Sequence, residues 1–235
     1  MSATRVMSQF RPRSDLQYEV RLPEDRKHEI PAIMNELMRA HLTAEKLLGR
    51  SGLDVDVTLL PRGLFYRQTG APAWVNAMYY KQTILIPITS STSVSDSSFS
   101  KTIKHEYLHA VLDRLTRGSC PGWIEEGLAQ LMEGEQSEEL TQYFYSWVRT
   151  KGLLPLSRLQ HGFTELGNDM APVAYAQSKY AVSLLIEKYG YKAMRRYLDL
   201  LGRGFEPRAA FEKAFGVDEF YFQELMLEDV RSAFI

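Results

Sequence analysis

Cysteine is all but missing from this chain. Cys120 stands alone among 235 residues, so no internal disulfide can form and a disulfide-stapled secreted scaffold is excluded. Long apolar runs are missing too. No uninterrupted stretch approaches the roughly 18 residues a membrane-spanning helix needs. Residues 1–14 carry Arg5, Arg11 and Arg13 but no apolar core of signal-peptide length. These absences set the cytoplasm as the expected location by default, with a domain cut from a longer exported protein as the alternative. Neither sign of charge is in excess: 28 Lys and Arg face 29 Asp and Glu, for a net charge of −1. Binding by phosphate neutralisation calls for a basic surplus, so no nucleic-acid partner is expected. With 15 Gly and 10 Pro, collagen-like and low-complexity classes fail. A chain that is 45% hydrophobic and 24% charged is not mostly disordered. Its length suits one compact domain, or two small lobes sharing a core.

The order of patterns predicts an α+β fold. Residues 1–14 read as a flexible tail. Leu16–Leu22 alternates apolar and polar residues like a half-buried strand, and Pro23 opens a helix reaching Leu48. Leu53–Leu60 alternates again, and the glycines and prolines from Pro61 to Pro72 predict an irregular connection. Trp74–Tyr80 and Thr83–Ile88 (TILIPI) follow as strands, the latter placed at a sheet edge by Pro87. Seven of the twelve residues in Thr89–Ser100 are serine, which predicts a flexible loop or a flap beside a site. Helical periods then run over 103–115, 123–132, 140–148, 177–189, 191–201, 208–215 and 219–234. The expectation is one domain over 1–235. A small mixed-sheet lobe with a long helix, about 15–100, precedes a mainly helical lobe, 101–235.

Residues 105–109 read His-Glu-Tyr-Leu-His. On a helix, positions i and i+4 share a face, so His105 and His109 can turn ring nitrogens toward one metal ion. Glu106 lies about 100° round the axis, where a carboxylate can approach a metal-bound water without ligating the metal. This is the HExxH arrangement of zinc hydrolases. Two histidines and a glutamate so spaced arise by chance in roughly one chain in a hundred of this length, given average usage.

A catalytic zinc site takes three protein ligands and keeps an open position. Pro121 and Gly122 break the chain, and the helix after them carries Glu125 and Glu126. Sixteen residues separate His109 from Glu126, room for a turn and a returning helix. Periodicity leaves Glu125 and Glu126 equally placed. The pairing of HExxH with the downstream Pro121-Gly122-Trp123-Ile124-Glu125-Glu126-Gly127-Leu128-Ala129 resembles the gluzincin metallopeptidases, specifically the peptidase MA-like domains. That resemblance extends through Thr69–Trp74, the TILIP strand, Ala174–Ser178 leading to Lys188-Tyr189-Gly190, and Ala214–Phe220. It implies that the glutamate directly before glycine, Glu126, is the third ligand. It also implies one Zn2+ per chain in a cleft between the lobes, and a peptide or protein substrate. In gluzincins such as thermolysin an Asp four residues after that glutamate supports a ligand histidine; here the position is Gln130, whose amide oxygen carries no charge.

The implied activity is peptide-bond hydrolysis, with Glu106 as general base. A second oxyanion stabiliser is expected from a later helix. Tyr175, Tyr180 and His161 are the candidates, and Tyr175 ranks first because it lies in the resembling segment. The resemblance also implies that the TILIP strand pairs with an extended peptide substrate. Rival readings are a catalytically silent binding module and a zinc hydrolase of non-peptide amides or esters. His28 and His41 are expected to be solvated, Cys120 an inert thiol, Glu133–Glu139 a solvated helix end or loop, and Trp123 a packing anchor; Asp113, four residues beyond His109, is assigned no role.

Overall fold

The structure is a computed structural model. It describes residues 6–7, 18–49, 54–134, 138–163, 166–167 and 169–232. Two compact units divide the chain, 1–111 and 112–235. No described helix is long and apolar enough to cross a membrane.

The first unit holds β1 (Val6–Met7), β2 (Tyr18–Arg21), α1 (Ile30–Leu48), β3 (Val55–Pro61), α2 (Arg62–Thr69), β4 (Met78–Tyr80), β5 (Thr83–Ile88) and most of α3 (Ser97–Thr116). The sheet order is β1-β2-β3-β5-β4. β2, β3 and β5 run parallel, while β1 and β4 pair antiparallel at the two edges. Alternation decides which side chains enter the core: Val55, Val57 and Leu59 of β3, and Ile84, Ile86 and Ile88 of β5, are buried. The face of α1 carrying Ile33, Leu37, Ala40 and Ala44 is buried with them. Each large aliphatic side chain so buried contributes about 1.5–3 kcal/mol. Pro31 sits in the first turn of α1, where its missing N–H costs nothing. Gly49, at φ 79°, ends the helix by donating its N–H to Glu45 at 2.7 Å.

The second unit is helical: the end of α3, then α4 (Gly122–Glu133), α5 (Glu138–Lys151), α6 (Met170–Gly202), α7 (Pro207–Phe215) and α8 (Glu219–Ser232). Gly190, at φ 78° and ψ 162°, breaks α6 into two helices, at the position where the periodic pattern divides. Trp123 anchors this unit as expected. It is fully buried and stacks on Phe222, with ring centroids 6.1 Å apart, beside Phe211.

Several expectations change. β5 is not the edge strand, for β4 covers its outer side over Thr83–Leu85. That ladder ends before Pro87, which explains how β5 tolerates a proline. The connection after Pro61 contains α2, started by Pro61 and closed by Gly70 in the left-handed region. Ser97–Ser100 form the first turn of α3 rather than loop. The rest of the serine-rich stretch is tied down, because Arg26 donates to the carbonyls of Thr92 at 2.7 Å and Thr89 at 3.4 Å. Arg26 is itself fixed by two hydrogen bonds to Glu29. His41 is buried, not solvated, with Nδ1 3.2 Å from the Tyr107 hydroxyl. Within the stretch read as a tail, Val6–Met7 pair with β2; the remainder of 1–14 lies outside the described residues, as do 135–137 of the acidic run and 233–234 of the last helix.

Candidate metal centre

α3 carries the first two candidate ligands. Ile103, Tyr107, Leu108, Val111 and Leu112 are buried, which fixes the helix about its axis and holds His105 and His109 on the less buried side. Their rings lie 4.6 Å apart between centroids, at 69°. Tyr107 points the opposite way, toward His41, and burial pushes its phenol well above the ordinary value.

Glu106 is buried, and its Oε2 accepts a 2.6 Å hydrogen bond from the backbone N–H of Tyr79 on β4. That bond fixes the direction of the carboxyl group. Sequence reasoning missed this partner, since a backbone amide leaves no mark in the residue pattern. The only available signal was the strand expected over Trp74–Tyr80.

Among the described residues, His105, His109 and Glu126 form the group able to hold a metal ion, with one ligand atom from each and all three within 4.8 Å of one another. Glu125 is not in that group. Two imidazole nitrogens and one carboxylate oxygen make the donor set of three-ligand catalytic zinc sites, so the residues present fit zinc.

The placement of Glu126 on α4 follows from its neighbours. Pro121 starts the helix. The N–H groups of Gly122 and Trp123 donate to the carbonyls of Gln160 and Leu159, at 2.8 Å each. A Cβ on Gly122 would meet the His161 carbonyl oxygen at 2.4 Å, and one on Gly127 would meet that of Ser178 at 2.3 Å. Only glycine lets α4 approach α6 this closely beside Glu126. The Ala174–Ser178 segment thus has a physical role: Ser178 presents its carbonyl to Gly127, and the buried Gln177 amide bonds both the N–H and C=O of Leu154, at 2.8 and 2.6 Å.

The remaining candidates separate. Tyr180 donates its hydroxyl to Asp229, and burial raises its phenol above the ordinary value, so it is committed elsewhere. His161 is exposed. Tyr175 is half-buried on α6, edge-on to Phe163 at 5.2 Å. Gln130 turns its amide toward Glu133 at 3.4 Å, one turn further along α4. Burial pushes the Cys120 thiol well above its ordinary value, as an inert thiol requires.

A family model described as the peptidase MA superfamily matches residues 64–227. The chain belongs to that superfamily. No curated protein sequence matches it. Among solved structures it is similar to a mutant of the M1 zinc metallopeptidase from Deinococcus radiodurans, with 15% identity and a TM-score of 0.58 over 96% of this chain and 52% of that one. The same enzyme without the mutation gives 15% and 0.54 over 96% and 51%. Aminopeptidase A from Legionella pneumophila, in complex with aspartic acid, gives 13% and 0.56 over 96% and 28%. The chain therefore spans about half the length of the Deinococcus structures. At these identities the likeness shows a shared fold, that of M1 metallopeptidases within the peptidase MA superfamily.

Proposed function

We propose that this protein is a zinc-dependent metallopeptidase, with His105, His109 and Glu126 holding one zinc ion and Glu106 acting as general base. The observation that carries this is the convergence of those three ligand atoms within 4.8 Å, one residue along the helix from a buried carboxylate anchored on a strand amide. The M1 zinc metallopeptidases whose fold the chain shares support peptides as the substrate class. When bound, zinc would acidify a water toward neutrality and polarise the scissile carbonyl.

The chain's own residues supply the rest. Glu106 takes a proton from the attacking water and delivers it to the leaving amine. The Tyr79 N–H keeps the carboxylate pointed at that task. An extended substrate would lie along β4, at one edge of the sheet, pairing its main chain with the strand. Tyr175 is the residue to test as donor to the developing oxyanion.

The direct test is incubation of zinc-loaded protein with a proteome-derived peptide library. Cleavage that stops with a chelator and returns with added zinc is the expected result. Hydrolysis confined to non-peptide amides or esters would change the substrate class. Zinc and peptide binding without any cleavage would leave a binding module.

A further inference from the structure

The first unit contains a pocket of about 360 Å³ lined from α2, the segment just before β4, the end of β5, the 89–96 stretch and the start of α3. Asn76, two residues before β4, lines it; so do Ile86 and Pro87, in the part of β5 that β4 leaves uncovered. Thr102 lines it from α3, one turn before His105 and Glu106 and on the same side of the helix. A peptide extended along β4 turns alternate side chains to opposite faces, and one near the Asn76 end of the strand would lie toward this opening. Resting on the peptidase reading above, we infer that this pocket receives one substrate side chain and selects an acidic one, with Arg62 as the specificity-determining residue.

The lining supplies the chemistry. Ile86 and Phe99 form a buried apolar floor that suits the methylenes of a side chain. The wall is rich in serine and threonine hydroxyls from the 89–102 stretch, which can donate to a carboxylate and which a bulky apolar group would strip of water. That wall is held in shape by Arg26, through the Thr89 and Thr92 carbonyls. At the rim, the exposed Arg62 guanidinium lies 5.6 Å from the centroid of the Tyr66 ring. Its hydrogen bond to the Ala73 carbonyl is long, 3.5 Å. Arg21, Arg26 and Arg39 are each paired with a carboxylate. Among the described residues, no carboxylate pairs with Arg62. It is held in place by an aromatic ring while its charge stays available, the arrangement that suits bidentate capture of an incoming carboxylate. Asp96 also lines the pocket, but it directly precedes the first turn of α3, whose amides offset a negative charge. The balance favours an anion.

The test measures binding apart from turnover. Zinc-loaded full-length Glu106→Gln protein is titrated with labelled peptides that differ only by Glu, Gln, Lys or Leu at one position, each position scanned in turn. At one position, Glu should bind about tenfold more tightly than Lys, as one charge-assisted pair allows. Arg62→Ala should bring that ratio near one, and Arg62→Glu should reverse it, with zinc content and melting temperature confirming that both variants are folded. Equal binding of Glu and Lys peptides, a preference for Leu, or a ratio that Arg62→Glu leaves unchanged would overturn the inference. Cleavage of the same peptides by wild type is read separately. Cleavage without charge preference removes the acidic pocket and leaves the peptidase; charge-selective binding without cleavage does the reverse. Failure of every peptide both to bind and to be cleaved removes both.

Discussion

Gly127→Ala adds a single methyl group next to Glu126, and its consequences can be worked out from the packing. The new Cβ would lie 2.3 Å from the Ser178 carbonyl oxygen and 2.5 Å from Val182 Cγ2. Ordinary contact begins near 3.4 Å, so α4 and α6 must part by roughly 1 Å, and a backbone carbonyl cannot rotate away as a side-chain tip can. Overpacking of this kind costs about 1–3 kcal/mol, while replacing glycine by alanine within a helix returns about 1 kcal/mol. The net destabilisation is about 0–2 kcal/mol, or a fall of up to about 8 °C in melting temperature for a domain of this size. The larger effect belongs to the metal, because Glu126 moves with α4. Losses of about 10–100-fold in affinity are typical when the groups supporting a ligand are disturbed. Zinc affinity is read by chelator competition, and stability by thermal melting. Gly63→Ala is the control: its Cβ meets nothing within 4 Å, so the same change should be neutral or mildly stabilising there. If Gly127→Ala binds zinc as tightly as wild type, the close approach of α4 to α6 does not position Glu126.

Elemental analysis should find about one zinc per chain, lost in His105→Ala, His109→Ala and Glu126→Ala but retained in Glu125→Ala; the opposite ranking of the two glutamates would move the third ligand back one residue. Arg26→Ala should destabilise the fold by about 1–3 kcal/mol, because it removes charge-assisted bonds to Glu29 and to the Thr92 carbonyl, and it should raise KM for peptides more than it lowers kcat. Burial raises the Glu219 carboxyl above its ordinary value. A raised acid favours the fold in its protonated form, so its contribution is complete below the ordinary carboxylate range and is lost as pH climbs through the raised folded value. Glu219→Gln should therefore gain stability relative to wild type across that interval, as urea titrations at a series of pH values would show; a difference that stays flat with pH would contradict this.

The parts of the fold carried by periodicity were legible in the residues. β3 and β5 alternate, α1 and α3 show their apolar faces, and Gly190 marks where α6 breaks. The candidate site was legible because HExxH places its two histidines and its glutamate on a single helix. Tertiary contacts were not. Pro87 suggested an edge strand because a proline lacks an N–H, yet the ladder between β4 and β5 stops at Leu85 and leaves Pro87 room inside an interior strand. The serines of 89–100 read as loop because serine favours turns and caps, whereas Ser97–Ser100 were drawn into the first turn of α3 and the remainder was tied to Arg26, 63 residues away from Thr89. His41 read as solvated because its helix face is mixed; a single buried partner, Tyr107, reverses that. Glu125 and Glu126 could be separated by a family resemblance but not by pattern, since what distinguishes them is the packing of Gly127 on α6.

The central claim, that Glu106 is the base of a zinc peptidase, is tested most directly by turnover of zinc-loaded Glu106→Gln against zinc-loaded wild type on a peptide that wild type cleaves. Glutamine keeps the size of the side chain and an oxygen for the Tyr79 N–H, but it cannot take a proton from water at neutral pH. The account predicts equal zinc content, matching melting temperatures and a rate about 10²–10⁴-fold lower for the variant. Equal rates in the two proteins would contradict it.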